Sequence, residues 1–207
     1  MPAKTTTKRV RPPLVLGSTS RYRRMLLERL GLPFTVAAPD VDESPLPGEV
    51  PAATALRLAE AKARAVAARY ADALVIGSDQ VADCDGVAIS KPGNRATALE
   101  QLRMLSGRTI VFHTGIALVD AASGRCRSEL VDVASEFRAL TDDEIAAYVD
   151  REQPFDCAGA VRSESLGIAL FERIGSDDPT ALIGLPLIAL ARLLRAEGVN
   201  PLTAATA

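Results

Sequence analysis

The chain of 207 residues has few of the side chains on which disulfide, zinc or histidine chemistry depends. It contains no tryptophan, one histidine and three cysteines, and aromatic residues make up 4% of it. Cys84, Cys126 and Cys157 lie far apart and form no CxxC pair, so the sequence predicts reduced thiols rather than a disulfide framework or a zinc site. We therefore expect a protein of a reducing compartment, the cytoplasm.

Long apolar runs are also missing, and none approaches the roughly 20 residues of a membrane-spanning helix. The first residues, MPAKTTTKRVRP, are basic and polar and lack the apolar segment of a secretory signal. The pattern predicts no membrane association. It also predicts a disordered basic tail over residues 1–13, a single domain over 14–202 and a loose tail over 203–207.

Charge of one sign is not in excess, because the formal net charge is −2. This excludes a protein that coats nucleic acid through bulk charge, so any anion site must be local. With 48% hydrophobic and 24% charged residues, the chain can bury a core. His113 lies in an apolar stretch with no pairing residue nearby in the sequence, and we interpret it as a structural strand residue.

Apolar strands alternate with helical patterns, and two predicted hairpins interrupt the alternation. Strands are predicted at 14–16, 34–38, 74–76 and 167–174, helices at about 21–30, 52–70, 96–105 and 141–151, and hairpins at Asp85-Gly86 and at the AASG turn between 109–119 and 127–138. A last helical segment over 179–197 is broken by GLP at 184–186. The pattern is typical of an α/β protein with a mixed β-sheet and flanking helices.

The stretch LVLGSTSRYRRMLLERLGL (14–32) puts three arginines into the first turn of a predicted helix. Each cation at a helix N-terminus is unfavourable by about 0.3–1 kcal/mol. A bound phosphate would remove the conflict, because backbone N–H groups, the hydroxyl of Ser18 and the forks of Arg23 and Arg24 all suit it. The alternative is that the arginines point into solvent. The pattern of a P-loop is absent, which argues against a kinase or P-loop NTPase.

Four further residues complete an inventory for handling a polyphosphate with a divalent ion. Asp79 follows an apolar strand, Glu43 lies in an acidic loop, Lys62 lies in an alanine-rich helix, and Lys91 precedes a proline. Each alone has an ordinary explanation as a turn former or a solvated charge. Together they supply carboxylates and cations at several loop junctions, as metal-assisted phosphate chemistry requires.

Eight motifs in order give the chain a family likeness. They are STSRYRRMLL, DVDE, RLAEAKA, GSDQV, SKP, QLRMLSG, CAGAVRSESLG and GLPLIAL. Their order and spacing resemble the Maf family of nucleotide pyrophosphatases from about residue 14 to 202. GSDQV and RSE are similar to the subgroup that hydrolyses 7-methyl-GTP, whereas the dTTP/UTP subgroup tends to carry Thr and Gln at the corresponding positions.

The resemblance implies a mixed α/β fold with two lobes around a central cleft. It implies hydrolysis of a nucleoside triphosphate at its α–β bond, with Mg²⁺ or Mn²⁺, to a monophosphate and pyrophosphate. Asp79 then corresponds to the proton acceptor and a metal ligand, Glu43 to a carboxylate near the metal, and Arg23, Arg24, Lys62 and Lys91 to phosphate-binding cations. The family analogy alone suggests a homodimer.

Base selection would fall to Tyr22, Gln80 and Glu164, which occupy the subgroup's specificity positions. An alkylated guanine carries a delocalised positive charge that stacks on an aromatic face, and Glu164 could accept from its N1–H and amino group. The chain departs from the family in having Tyr22 where a subgroup member has Trp, and Arg21 where many members have Pro.

The resemblance leaves open two alternatives to a 7-methyl-GTP pyrophosphatase. One is a pyrophosphatase for unmodified or pyrimidine nucleotides, against which Gln80 and Glu164 argue. The other is a nucleotide-binding regulator of septum formation without required turnover, against which the complete set of Asp79, Glu43, Lys62 and Lys91 argues. Pyrophosphate release from a nucleotide panel distinguishes all three.

Overall fold

The computed structural model describes residues 12–204, and within that range it holds a mixed seven-stranded sheet with helices on both faces. Of the predicted tails, 1–13 and 203–207, residues 1–11 and 205–207 lie outside the described residues. Residues 13, 203 and 204, at the inner ends of the tails, make backbone hydrogen bonds. The carbonyl of Pro13 accepts from the amide of Leu74, and the amides of Thr203 and Ala204 donate to the carbonyl of Asn200.

The order of the elements confirms the α/β pattern. The strands are β1 (Leu14–Leu16), β2 (Phe34–Val36), β3 (Leu74–Cys84), β4 (Val87–Ile89), β5 (Thr109–Asp120), β6 (Cys126–Phe137) and β7 (Phe171–Gly175). The helices are α1 (Arg21–Glu28), α2 (Pro51–Ala67), α3 (Arg95–Leu105), α4 (Asp142–Glu152) and α5 (Leu187–Ala196). The strands lie in the order β2-β1-β3-β5-β6-β7, with β4 beside β3. β1 pairs in parallel with β2 and β3, and the other pairs are antiparallel.

Alternation along β3 and β5 sends their side chains into separate cores. Residues such as Val75 and Ala117 pack with α2 on one face, whereas Ile76 and Ile116 pack with α1 and α5 on the other. The far end of that second face is covered by α3 and α4. Each fully buried aliphatic side chain contributes about 1.5–3 kcal/mol, so these layers fix the two ends of the sheet relative to each other.

Helix α2 lies unusually close to the sheet because two strand positions have no side chain. A Cβ built on Gly77 would lie 2.2 Å from the carbonyl oxygen of Ala59, and one built on Gly115 would lie 2.4 Å from that of Ala55. Glycine is therefore required for this approach. The approach brings Lys62, on the same helix, down to the surface of β3.

Strand β3 is longer than the sequence pattern predicted, and this corrects the position of Asp79. The apolar run at 74–76 is the part of β3 that pairs with β1, but antiparallel pairing with β5 continues to Asp83. Asp79 thus lies in mid-strand and not at a strand end. On the opposite edge β1 pairs with residues 74–76 and β4 with 82–84. Within the described part of the chain no strand pairs with that edge over residues 78–81, and this open edge positions the site.

Other local predictions are confirmed or corrected by the hydrogen bonding. The Asp85-Gly86 turn has positive φ at both residues, and a reciprocal capping box opens α4 at Thr141, both as predicted. The strand predicted at 167–174 begins at Phe171, because residues 166–170 form a 3₁₀ turn. The helical segment predicted at 179–197 is a 3₁₀ turn at 181–183 followed by α5.

The expectation that His113 has no partner is wrong. Its Nδ1 lies 2.7 Å from Asp132 Oδ1, and its Nε2 lies 3.2 Å from Asp83 Oδ2. Both carboxylates belong to neighbouring strands, which sequence distance conceals. His113 is buried and ties β3, β5 and β6 together, as a structural strand residue should.

Candidate active site

The open edge of β3 is the floor of a cavity of about 750 Å³. Its walls come from the start of α1, the loop at 39–45, α2, the segment 88–91, the segment 156–164 and the loop at 182–184. It contains nine predicted site residues, namely Ser18, Tyr22, Arg23, Glu43, Lys62, Asp79, Gln80, Lys91 and Glu164. A smaller, apolar cavity of about 320 Å³ at the start of β1 has no titratable side chain in its wall. The chemistry therefore belongs to the larger cavity.

Lys62 joins the two predicted metal-binding carboxylates. Its Nζ lies 2.6 Å from Asp79 Oδ1 and 2.9 Å from Glu43 Oε1. Lys62 and Asp79 are buried, whereas the side chain of Glu43 is 55% exposed. The three groups come from α2, β3 and the acidic loop. Glu43 and Asp79 are 36 residues apart in the sequence, and both contact the same lysine.

Arg23 is one of the two arginines of α1 that line the cavity. Ser20 caps the helix by accepting from the amide of Arg23, and the Arg23 guanidinium donates to Gly184 O at 2.9 Å and to Ser18 Oγ at 3.4 Å. Burial lowers the pKa of the Arg23 guanidinium, and the charges of Asp79 and Glu43 oppose that shift. A cation held in this way is desolvated in advance for a phosphate.

The structure does not bring Arg24 to the cavity. Its Nε lies 3.1 Å from Oε1 of Glu28, one turn along the exposed face of α1. Arg21 does line the cavity, and its guanidinium lies 4.7 Å from the centroid of the Tyr22 ring. The three arginines of the first turn thus divide among three environments, and the sequence argument treated them as one cluster.

Aromatic and charged groups gather around Tyr22 in the cavity wall. The guanidinium of Arg162 lies 6.0 Å from the Tyr22 ring centroid, and Cys157 Sγ lies 3.9 Å from the Tyr22 hydroxyl. Burial raises the pKa of the Tyr22 phenol and of the Glu164 carboxyl, and it raises the pKa of the Cys157 thiol to about 11. Glu164 is exposed and lines the cavity.

Gln80 has a fixed orientation. Its Nε2 donates to Thr114 Oγ1, Ala181 O and Leu182 O, each at 3.0 Å. Backbone carbonyls accept and cannot donate, so the nitrogen must face them. The oxygen Oε1 is therefore the acceptor on the other side of the amide, where Gln80 lines the cavity.

Two contributors were missed at the sequence level. Arg162, which ion-pairs with Glu152 at 3.2 Å, lies in the RSE motif but was not assigned a role. Thr114 is buried and donates to Ala181 O at 3.0 Å. Nothing in the sequence around Thr114 distinguishes it from a structural strand threonine.

The charges of the cavity suit a phosphate chain that arrives with a divalent cation. Four cations and four carboxylates line it, namely Arg21, Arg23, Lys62, Lys91, Glu43, Asp79, Asp156 and Glu164. No cluster of three or more metal-ligating side chains occurs among residues 12–204. Mg²⁺ is commonly held by one or two carboxylates together with substrate phosphates and waters, so Asp79 and Glu43 fit such an ion.

No helix in the described range has the length and apolarity needed to cross a lipid bilayer. The thiols of Cys84, Cys126 and Cys157 are free, as the spacing of the cysteines predicted.

Comparison of the sequence with known proteins identifies the family of this chain. The chain is 60% identical over 186 residues to a 7-methyl-GTP pyrophosphatase of Aromatoleum aromaticum, covering 90% of the chain and 96% of that protein. It is 59% identical to a protein of the same name from Polaromonas sp., covering 90% and 85%, and 56% identical to one from Ralstonia nicotianae, covering 90% and 96%. The family model for Maf-like proteins matches residues 13–197. The chain therefore belongs to the Maf family.

Proposed function

We propose that this protein hydrolyses 7-methyl-GTP to 7-methyl-GMP and pyrophosphate. The observation that carries the proposal is the Asp79–Lys62–Glu43 cluster, which lies beside Arg23 on the floor of a cavity large enough for a nucleotide. The names of three relatives at 56–60% identity support the choice of substrate. We place the activity in nucleotide-pool cleaning in the cytoplasm.

The phosphate chain lies at the Lys62 end of the cavity in this proposal. Arg23 and Ser18 at the start of α1 donate to phosphate oxygens, together with the exposed Lys91 in the cavity wall. Lys62 exchanges part of its contact with Asp79 for phosphate, which frees the carboxylate. Preorganised cations of this kind stabilise charge that develops in the transition state.

Asp79 is the general base in this proposal. A water oxygen forms a bond to the α-phosphorus. The bond from the α-phosphorus to the oxygen that bridges it to the β-phosphorus breaks, and pyrophosphate leaves. The proton of the water passes to the Asp79 carboxylate. Asp79 and Glu43 would hold the Mg²⁺ or Mn²⁺ ion, which supplies charge neutralisation on the phosphates when bound.

The guanine ring of the substrate lies between Tyr22 and the acceptors Gln80 Oε1 and Glu164 in this proposal. Guanine offers two adjacent donors, N1–H and the amino group, where uracil offers N3–H alone, so two acceptors favour guanine. The Tyr22 ring provides a face for the cationic methylated base, provided that Arg21 leaves it. Arg21 is exposed and its ion pair with Asp156 is 4.0 Å long, but its guanidinium also donates to the Tyr22 hydroxyl at 2.5 Å, so the methylated base must displace that hydrogen bond.

The test is pyrophosphate release from 7-methyl-GTP, GTP, UTP and dTTP with Mg²⁺, with Mn²⁺ and after chelation. We expect the highest kcat/KM for 7-methyl-GTP and no turnover after chelation. Release from UTP or dTTP at a higher kcat/KM would replace our proposal with the pyrimidine enzyme, and tight binding without release would replace it with the regulator. A homodimer stays a prediction, and the molar mass of the purified protein, measured by light scattering, would test it.

A further inference from the structure

One loop, residues 178–186, presents backbone carbonyls to the side chains of the cavity floor. Ala181 O and Leu182 O accept from Gln80 Nε2. Gly184 O accepts from Arg23 Nε and from Ser78 Oγ, each at 2.9 Å. This carbonyl loop therefore holds both a proposed base-reading group and a proposed phosphate-binding group.

Asp178 fastens the carbonyl loop to α5. It is 3% exposed. Its Oδ2 accepts from the amides of Ile188 at 2.7 Å and Ala189 at 3.2 Å, in the first turn of α5. The residue before that helix is Pro186, which makes no side-chain cap. Asp178 thus satisfies helix amides that would otherwise have no partner, from eight residues before Pro186 in the chain.

Thr180 closes the loop from inside. Its hydroxyl donates to Asp178 Oδ1 at 2.8 Å and lies 2.9 Å from Leu185 O, and it accepts from the amide of Leu187 at 2.8 Å. The two ends of the carbonyl loop are therefore tied to each other through a carboxylate and a hydroxyl. Neither Asp178 nor Thr180 lines the cavity.

We infer that Asp178, with Thr180, is a positioning residue for base selection, because it holds the carbonyls that set the direction of the Gln80 amide. The inference rests on the proposed function for its substrates but not for its geometry. If the loop relaxes, the amide can rotate by half a turn and present NH₂ to the cavity. A donor would then face the N–H donors of guanine, and selection would fall.

The experiment compares Asp178→Asn and Thr180→Val with wild type in kcat and KM for 7-methyl-GTP and UTP. Thr180→Ser restores the hydroxyl and serves as the rescue. Asp120→Asn is the matched control, since Asp120 also accepts two backbone amides, of Ala122 and Ser123, but in the β5–β6 turn away from the cavity. A second readout is solvent exchange of the Gln80 side-chain amide protons, measured by NMR.

We expect Asp178→Asn and Thr180→Val to lose roughly tenfold of the preference for 7-methyl-GTP over UTP, the scale of one hydrogen bond to an uncharged group in a site. The loss should lie mainly in KM for 7-methyl-GTP, and the Gln80 amide protons should exchange faster. Thr180→Ser and Asp120→Asn should match wild type in both readouts.

Two results would overturn the inference. One is unchanged preference in folded Asp178→Asn and Thr180→Val proteins. The other is a common fall for both substrates with unchanged Gln80 exchange, which would make Asp178 merely structural. If wild type released pyrophosphate from no nucleotide, the proposed function would fail, and the Gln80 exchange rates would then decide the inference alone: faster exchange in both variants supports it, and unchanged exchange refutes it.

Discussion

Replacing Asp79 by asparagine removes one charge from the floor of the cavity and leaves the shape of the side chain intact. If Asp79 takes the proton of the attacking water, kcat should fall by about 10²-fold or more, the usual contribution of a general base. At saturating Mg²⁺, KM for the nucleotide should stay level or fall, because the change removes a negative charge beside the phosphates. The Mg²⁺ concentration needed for half-maximal rate should rise, because Asp79 would also hold the ion. The assay is pyrophosphate release under steady-state conditions, with nucleotide binding measured separately by calorimetry.

The same substitution has a stability effect that must be separated from catalysis. Lys62 is buried and loses a charged partner at 2.6 Å, but it keeps Glu43 at 2.9 Å and the asparagine oxygen. We therefore expect a loss of about 1–3 kcal/mol in unfolding free energy, below the roughly 3–5 kcal/mol for a buried charge left without any partner. Asp83→Asn is the matched control, because Asp83 lies on the same face of β3 and pairs with His113 away from the cavity. Wild-type kcat in folded Asp79→Asn protein would refute the reasoning.

Four further predictions follow, three from the cavity and its immediate surroundings and one from the Glu49–Arg57 ion pair outside its wall. Arg23→Ala should weaken pyrophosphate binding about ten- to a hundredfold, whereas Arg24→Ala should leave it unchanged by calorimetry, and equal effects would contradict the structure. Glu164→Gln should lower kcat/KM for 7-methyl-GTP about ten- to a hundredfold. In wild type, the raised pKa of Glu164 should make kcat/KM decline on the acid side at a higher pH than an ordinary carboxyl would, and a profile identical to that of Glu164→Gln would contradict this. Cys157, with a pKa of about 11, should react slowly with iodoacetamide at neutral pH, and rapid labelling would show that its pocket opens. Arg57 lowers the pKa of Glu49 from 4.5 to about 2. In urea titrations, wild type should therefore be more stable than Glu49→Gln above pH 4.5, and this difference in unfolding free energy should vanish toward pH 2. A difference that does not change with pH would refute the prediction.

The parts of the fold that the sequence predicted are those decided by local chemistry. The start of α1, the Asp85-Gly86 turn and the capping box of α4 depend on neighbouring residues, and each was found. The length of β3 depends on β5, some 35 residues away, so its polar half at Ser78 to Asp83 could not be recognised as strand. Pairing between distant strands overrides local propensity in this way.

The candidate site shows the same division. Nine positions singled out through motifs line the cavity together, and their roles stay predictions. Arg24 was included because the sequence gives no means of telling which face of a short helix meets a cavity. The carbonyl loop could not be predicted, because its contribution comes from backbone oxygens and those have no identity in a sequence.

Because α2 lies so close to the sheet, the geometry of the active site depends on two glycines that do not line it. An added carbon at Gly77 or Gly115 would collide with helix backbone, and the helix would have to move outward. Lys62 moves with it and leaves the distance at which it meets Asp79. In a mutational scan that scores turnover alone, positions 77 and 115 would rank beside Asp79 although nothing there reaches a substrate. A scan of this protein therefore needs a second readout, the amount of folded protein. Only then can the residue changed in an inactive variant be assigned a catalytic role.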